Sequence, residues 1–172
     1  MLKVAGMALI IISGSALGVC MSRELAQRVR WLGELERLMQ VLKGEIQYAA
    51  TPLPEIFPEL AKRTEEPLES FFASLASAME LRSKSTTGDI FAEQAEALLG
   101  FGGLKERDVE ALVRFGRRLG CPDREQQVQT IRLYQEELAA ARAEAQEDYR
   151  QKAKVYQSLG FLGGCFCVLL LL

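Results

Sequence analysis

Over residues 22–50 the apolar positions fall on one helical face. Leu25, Leu32, Met39 and Ile46 recur every seventh residue, Leu35, Leu42 and Ala49 form a second seam, and Val29 and Leu38 lie beside them. Arg, Glu, Lys and Gln occupy the opposite face, so the pattern predicts a long amphipathic helix. Trp31 either joins the buried stripe or lies at the surface. Three prolines then interrupt the chain. Pro52 disfavours helical backbone at Thr51, and Pro54 follows too closely for the hydrogen-bond ladder to recover. A second helix is expected to start with Pro54 in its first turn and Glu55 favourably charged there, and Pro58 is expected to keep it short.

Further along, Pro67 opens a helix through Phe71, Phe72, Leu75, Ala78 and Met79. The stretch SKSTTGD reads as a loop, with Thr87 or Asp89 capping a helix that turns Phe91, Ala95, Leu98 and Leu99 inward; GFGG stops it. Asp108 begins another, with a stripe of Val109, Leu112, Val113 and Leu119, ending at Gly120. Asp123 followed by Gln126 is a capping-box variant that predicts a new helix start. From Asp123 there is no Gly or Pro until Gly160, so one helix is expected to run through Val128, Ile131, Leu138 and Tyr149. Its stretch EELAAARAEAQEDYRQKAK has few large apolar residues and reads as a solvated stalk or as a face awaiting a partner. No strand pattern competes.

Both ends differ from this middle. Residues 4–21 and 155–172 carry no Asp, Glu, Lys or Arg. As helices, 18 residues span roughly 27 Å, close to the ~30 Å hydrocarbon thickness of a bilayer. The first is read as an uncleaved anchor because the helical pattern runs straight on past it; a cleaved secretory signal is the competitor. Arg23, Arg28 and Arg30 follow the first segment and Arg150, Lys152 and Lys154 precede the second. The positive-inside rule therefore puts residues 22–154 in the cytoplasm, with Lys3 discordant. The expected organisation is a transmembrane helix at 1–21, a cytoplasmic helical bundle at 22–154 and a second transmembrane helix at 155–172. The fold class is all-α, an antiparallel bundle whose long first and last helices are neighbours because both return to the bilayer.

Charge and candidate chemistry narrow the function classes. A net charge of −2 in 172 residues gives no global signal for nucleic acid. The chain has no histidine, which excludes imidazole-dependent zinc sites and Ser-His-Asp catalysis. There is no G-x-x-x-x-G-K phosphate loop and no carboxylate pair in a glycine-rich context, so an enzyme is not expected, and neither is a cofactor or metal. Cys20, Cys121, Cys165 and Cys167 are read as small apolar packing residues.

The order Leu42, Glu45, Ile46, Tyr48, Thr51, Pro52 and Leu53, then FGRRLGCPDREQQ at 115–127 and the terminal SLGFLGG, resembles the stage III sporulation protein AB family of endospore-forming bacteria. The likeness covers nearly the whole chain. It implies a cytoplasmic part similar to the helical domains of the inner-membrane platform protein, the F component, of type II secretion and type IV pilus systems. It also implies a role in the channel between mother cell and forespore, in the outer forespore membrane. The partners implied are a hexameric secretion-type ATPase, the stage III sporulation AA protein, and the other AA to AH proteins, with membrane lipid, no nucleic acid, and a homo-oligomer possible.

The candidate interaction and structural motif is Glu45, Tyr48, Thr51, Pro52, Leu53, Gly120, Asp123 and Gln127. Glu45 and Gln127 either present a polar patch to a partner or tie the two long helices together by a hydrogen bond; the second is the usual work of such residues. Asp123 is read as a helix cap. Arg117, Arg118 and Arg124 are candidates for an acidic ATPase surface or anionic headgroups, against a solvated face. The competing function is a membrane-tethered coiled-coil interaction or sensor protein, which would dimerise through the seam at residues 22–50 instead of burying it.

Overall fold

The computed structural model describes residues 2–81 and 86–171, with side chains chiefly at 18–81 and 86–156. Among the described residues the chain is all helical: α1 (Leu2–Gly44), a π-helical turn (Glu45–Ala49), α2 (Leu53–Ala61), α3 (Leu68–Glu80), α4 (Thr87–Leu99), α5 (Glu106–Leu119) and α6 (Arg124–Leu171). Two compact units divide the chain, one of Arg30–Arg142 and one of Met1–Val29 with Ala143–Leu172. The expected membrane helices at 1–21 and 155–172 lie largely outside the described side chains. Among the described residues no helix is long and apolar enough to cross a membrane.

In the larger unit the predicted stripe is the core. Leu32, Leu35, Leu38, Met39, Leu42 and Ile46 are buried, and Trp31 joins them with the Arg30 guanidinium 4.9 Å from its ring centroid. A run of aromatic rings links the other helices. Phe57 of α2 meets Phe72 of α3 and Phe91 of α4, Phe91 meets Phe115 of α5, and Phe115 stacks on Tyr134 of α6 at 4.5 Å. Burial pushes the Tyr134 phenol far above its ordinary pKa, and the nearby Asp108 carboxylate adds to the shift. Within this unit α1 and α6 are joined by Arg142, which donates to Glu36 at 3.0 Å. Just past the end of α2, Arg37 bonds both Glu34 and the Arg63 carbonyl, and the Arg37 hydrogen bond holds the Glu34 carboxyl below its usual range.

Helix ends follow capping chemistry, with shifts from the sequence reading. The N-cap of α4 is Thr86, one residue before the expected Thr87. Its hydroxyl accepts from the Asp89 N–H at 3.3 Å, and the Asp89 carboxylate accepts from the Thr86 N–H at 3.1 Å. The Thr86 hydroxyl also donates to the Asp89 carboxylate at 2.8 Å, and that bond, together with the one from the Thr86 N–H, holds the Asp89 carboxyl below its ordinary pKa. α5 starts at Glu106, ahead of Asp108, which accepts from the Lys105 N–H at 3.0 Å. α2 is short, as expected, and carries Pro58 inside it, ending at Ala61, where the Lys62 N–H closes on the Pro58 carbonyl at 3.2 Å. One missing N–H costs one ladder bond, and the buried Ile56, Phe57 and Leu60 hold the helix regardless.

α4 and α5 pack closely because glycines face them. A Cβ on Gly116 would lie 2.1 Å from Phe91 Cγ, and one on Gly88 would lie 2.5 Å from Arg117 Cγ. Gly120 ends α5 for the same reason. Its φ is −69°, so the left-handed backbone usual for a helix-ending glycine is absent, whereas a Cβ there would lie 2.8 Å from Thr87 Cβ.

In the smaller unit Ser22 and Arg28 of α1 and Ala145 and Ala153 of α6 are buried. The Arg28 guanidinium lies 3.9 Å from the Glu144 carboxylate, joining the two helices. The Ala-rich stretch of α6 is therefore neither fully solvated nor a fully open face: in this unit Ala145 and Ala153 are buried among mostly exposed positions. Cys20 is exposed, contrary to its reading as a packing residue, and Cys165 and Cys167 lie outside the described side chains.

Candidate interaction site at the proline corner

The sequence places α1's break at Pro52, yet the helix changes character at Glu45. Residues Glu45–Ala49 wind as a π turn and Ala50 is left-handed, with φ 57° and ψ 26°. A left-handed alanine costs roughly 1–2 kcal/mol, so something local must fix it. Glu45 does so from both its backbone and its side chain. Its carbonyl accepts from the Ala50 N–H and, at 3.4 Å, the Thr51 N–H, while its carboxylate accepts from the Thr51 hydroxyl at 3.1 Å. The wider turn keeps Ile46 in the core and turns Tyr48 out to 83% exposure. Ala49, the expected end of the second seam, is exposed as a result. Pro52 is exposed and extended, Leu53 is half-buried, and α2 begins there with Pro54 in its first turn.

At the other end of the motif, Asp123 caps α6 by accepting from the Gln126 N–H at 3.1 Å. The Gln126 side chain leaves the box incomplete and accepts from the Cys121 thiol at 2.9 Å. Gln127 donates through Nε2 to the carbonyls of Leu119 at 3.1 Å and Cys121 at 2.8 Å. Both carbonyls belong to the end of α5 and its turn, which lack helical partners. Gln127 thus stitches α5 to α6, and the expected hydrogen bond between Glu45 and Gln127 is replaced by one local bond set at each. Gln127→Ala leaves both carbonyls without this donor and is expected to cost about 1–2 kcal/mol, read as a lower urea midpoint with an unchanged slope.

The three candidate arginines do not share a surface. Arg117 lines a groove between α4 and α5; Arg118 lies on another face of α5 beside Thr130 and Tyr134; Arg124 stands at the start of α6. Arg124 lines a groove of about 460 Å³ with Gln47 of the π turn and with Asp123, Glu125, Val128 and Arg132 of the α6 start. Gln47 and Arg132 were not singled out in the sequence. The spacing of Arg124, Val128 and Arg132, four residues apart on one helical face, is the signal that would have found Arg132; nothing in the sequence marks Gln47. The groove therefore offers two arginines, one aliphatic side chain and two carboxylates, one of which is committed to capping, and its Gln47 is next in sequence to the exposed Tyr48. That set suits binding of a protein surface: an aromatic anchor with charged arms. Among the described residues no group of three or more His, Cys, Asp or Glu is placed to hold a metal.

Fold and site together define a helical-bundle protein with an exposed, internally braced corner for contacts. Its relatives agree in sequence and in fold. The chain belongs to the stage III sporulation protein AB family, whose model matches residues 3–172. It is 30% identical to the stage III sporulation protein AB of Bacillus subtilis (strain 168) over 172 residues, all of both chains. A solved structure of a stage III sporulation protein AB (SpoIIIAB) is similar with a TM-score of 0.65 and 28% identity, over 72% of this chain and 96% of that one. The chain accordingly takes its place among sporulation proteins.

Proposed function

We propose that this chain is a non-enzymatic, membrane-anchored platform of the channel between mother cell and forespore, and that its corner engages the secretion-type ATPase of the same system. The observation that carries the reading is the family match, which takes in both apolar ends as well as the bundle between them. The apolar ends supply the anchors, residues 22–154 face the mother-cell cytoplasm, and the membrane is the outer forespore membrane. The ATPase contact is drawn to Tyr48, Arg124 and Arg132 because Tyr48 is exposed on a turn that the Thr51–Glu45 hydrogen bond braces, and its neighbour Gln47 lines the groove of the two arginines. The coiled-coil alternative is disfavoured by the burial of its seam, since Leu32, Leu35, Met39, Leu42 and Ile46 are each 3% exposed or less.

The full chain in nanodiscs is expected to bind the purified stage III sporulation AA ATPase saturably. Tyr48→Ala and Arg124→Glu are each expected to weaken that binding by about tenfold or more, the loss usual for a central aromatic or arginine anchor. Wild-type affinity in both variants would remove the contact from the corner. Absence of binding by the folded, inserted wild type would reject engagement of the ATPase.

A further inference from the structure

The groove between α4 and α5 has a volume of about 720 Å³ and lies apart from the corner. Along α5 its lining runs Glu106, Val109, Glu110, Val113, Arg114, Arg117, which is one continuous helical stripe, and α4 adds Glu96 and an exposed Leu99 at the Glu106 end. The stripe is therefore acidic at its start, apolar in the middle and basic at its end. Internal pairing uses little of this charge. Arg114 lies 3.9 Å from Glu110 and 4.0 Å from Glu137, all three more than half exposed, which are loose surface pairs.

The order of the charges identifies the occupant. If two copies of α5 lie antiparallel across a twofold axis, Glu106 of each copy meets Arg117 of the other, and Glu110 meets Arg114. The two pairings need nearly the same register: the midpoint of 106 and 117 falls between Ala111 and Leu112, and that of 110 and 114 at Leu112. An isologous dimer requires charge that is self-complementary about its axis, and this order supplies it. Val113 and the rim of Leu99 supply apolar contact near the seam, and opposed helix dipoles favour the antiparallel arrangement.

We infer that the α4–α5 face is a homodimer interface, with α5 paired antiparallel to α5 of a second copy about the Ala111–Leu112 point. The pairing goes beyond the platform role and uses none of the corner residues, so either can fail alone. The contact is weak and salt-sensitive, as befits exposed ion pairs around a small apolar centre.

Charge exchange tests it. Sedimentation equilibrium of the full chain in density-matched detergent is expected to show a monomer–dimer equilibrium that shifts toward monomer between low and high salt. E106K/E110K places lysine against arginine at every pair, and R114E/R117E places carboxylate against carboxylate. Each is expected to raise the dimer dissociation constant by about tenfold or more. Mixed together, the two variants restore every attraction, and a heterodimer of about wild-type strength is expected. Glutamate at 117 keeps the Cβ and Cγ that pack on Gly88, and melting temperatures check that both variants fold. If a double variant does not fold, the single pair E106K and R117E gives the same exchange at one contact. A wild type monomeric up to about 200 μM overturns the interface. Folded variants that dimerise as well as wild type, or a mixture that does not recover, overturn it also. A monomer that still binds the ATPase overturns this inference and leaves the platform reading intact.

Discussion

Phe91→Ala is expected to destabilise the larger unit by about 3–5 kcal/mol, the range for removing a buried aromatic ring from a core. Phe91 is fully buried and central to the aromatic run, with ring centroids 5.8 Å from Phe57, 5.9 Å from Phe71 and 6.1 Å from Phe115, all in edge-to-face geometry. Truncation leaves a cavity where α2, α3, α4 and α5 meet, so no single helix can shift to fill it. Stability of about 5–15 kcal/mol is usual for a domain, and a loss of this size removes a large share of it. Guanidinium titration followed by far-ultraviolet circular dichroism gives the difference directly. Phe91→Leu separates the causes: it keeps most of the volume and loses the edge-to-face contacts. If packing volume dominates, its cost is expected to stay below about 1.5 kcal/mol. A Phe91→Ala cost below about 1 kcal/mol would mean that the ring is not the keystone that its contacts describe.

What the sequence made legible is what periodicity encodes. The seam of Leu32, Leu35, Met39, Leu42 and Ile46 is buried as its spacing requires, and among the described residues the helices, separated by proline, glycine and capping residues, follow in the expected order. The departures occur where local signals are degenerate or where a distant residue decides. Adjacent Thr86 and Thr87 offer the same hydroxyl, and Asp89, three residues after Thr86, completes the capping box that selects Thr86. The π turn needs the left-handed Ala50 to bring Thr51 back onto Glu45, and alanine carries no sequence signal for that backbone. Gly120 reads as a helix stop by type, whereas its cause is the neighbouring helix. The arginines were legible as charge. Their division among three faces depended on the rotation of α5 and on the start of α6.

Gly116→Ala is the second large effect, and its sign is not obvious from local propensity. Alanine in place of glycine in a helix interior favours the helix by about 1 kcal/mol. Here the new Cβ would lie 2.1 Å from Phe91 Cγ and 2.4 Å from both its Cβ and Cδ1, closer than real contacts allow. Gly116 and Phe91 are both buried, so the ring cannot swing into solvent and α5 must move away from α4. Overpacking of this kind typically costs 1–3 kcal/mol and occasionally more; with two contacts to the ring and one to its Cβ, the upper part of that range applies. A net loss of about 2 kcal/mol is expected, read as a fall in the denaturation midpoint. The Phe91→Ala background discriminates the cause. The ring atoms are then gone, the remaining Cβ contact is relieved by a small shift into the vacated space, and the same Gly116→Ala change is expected to cost at least about 1 kcal/mol less. Equal costs in the two backgrounds would place the strain elsewhere in α5. A favourable coupling makes Gly116 the residue that sets how deeply α5 sits against α4, and so the height at which Arg114 and Arg117 stand on the exposed face.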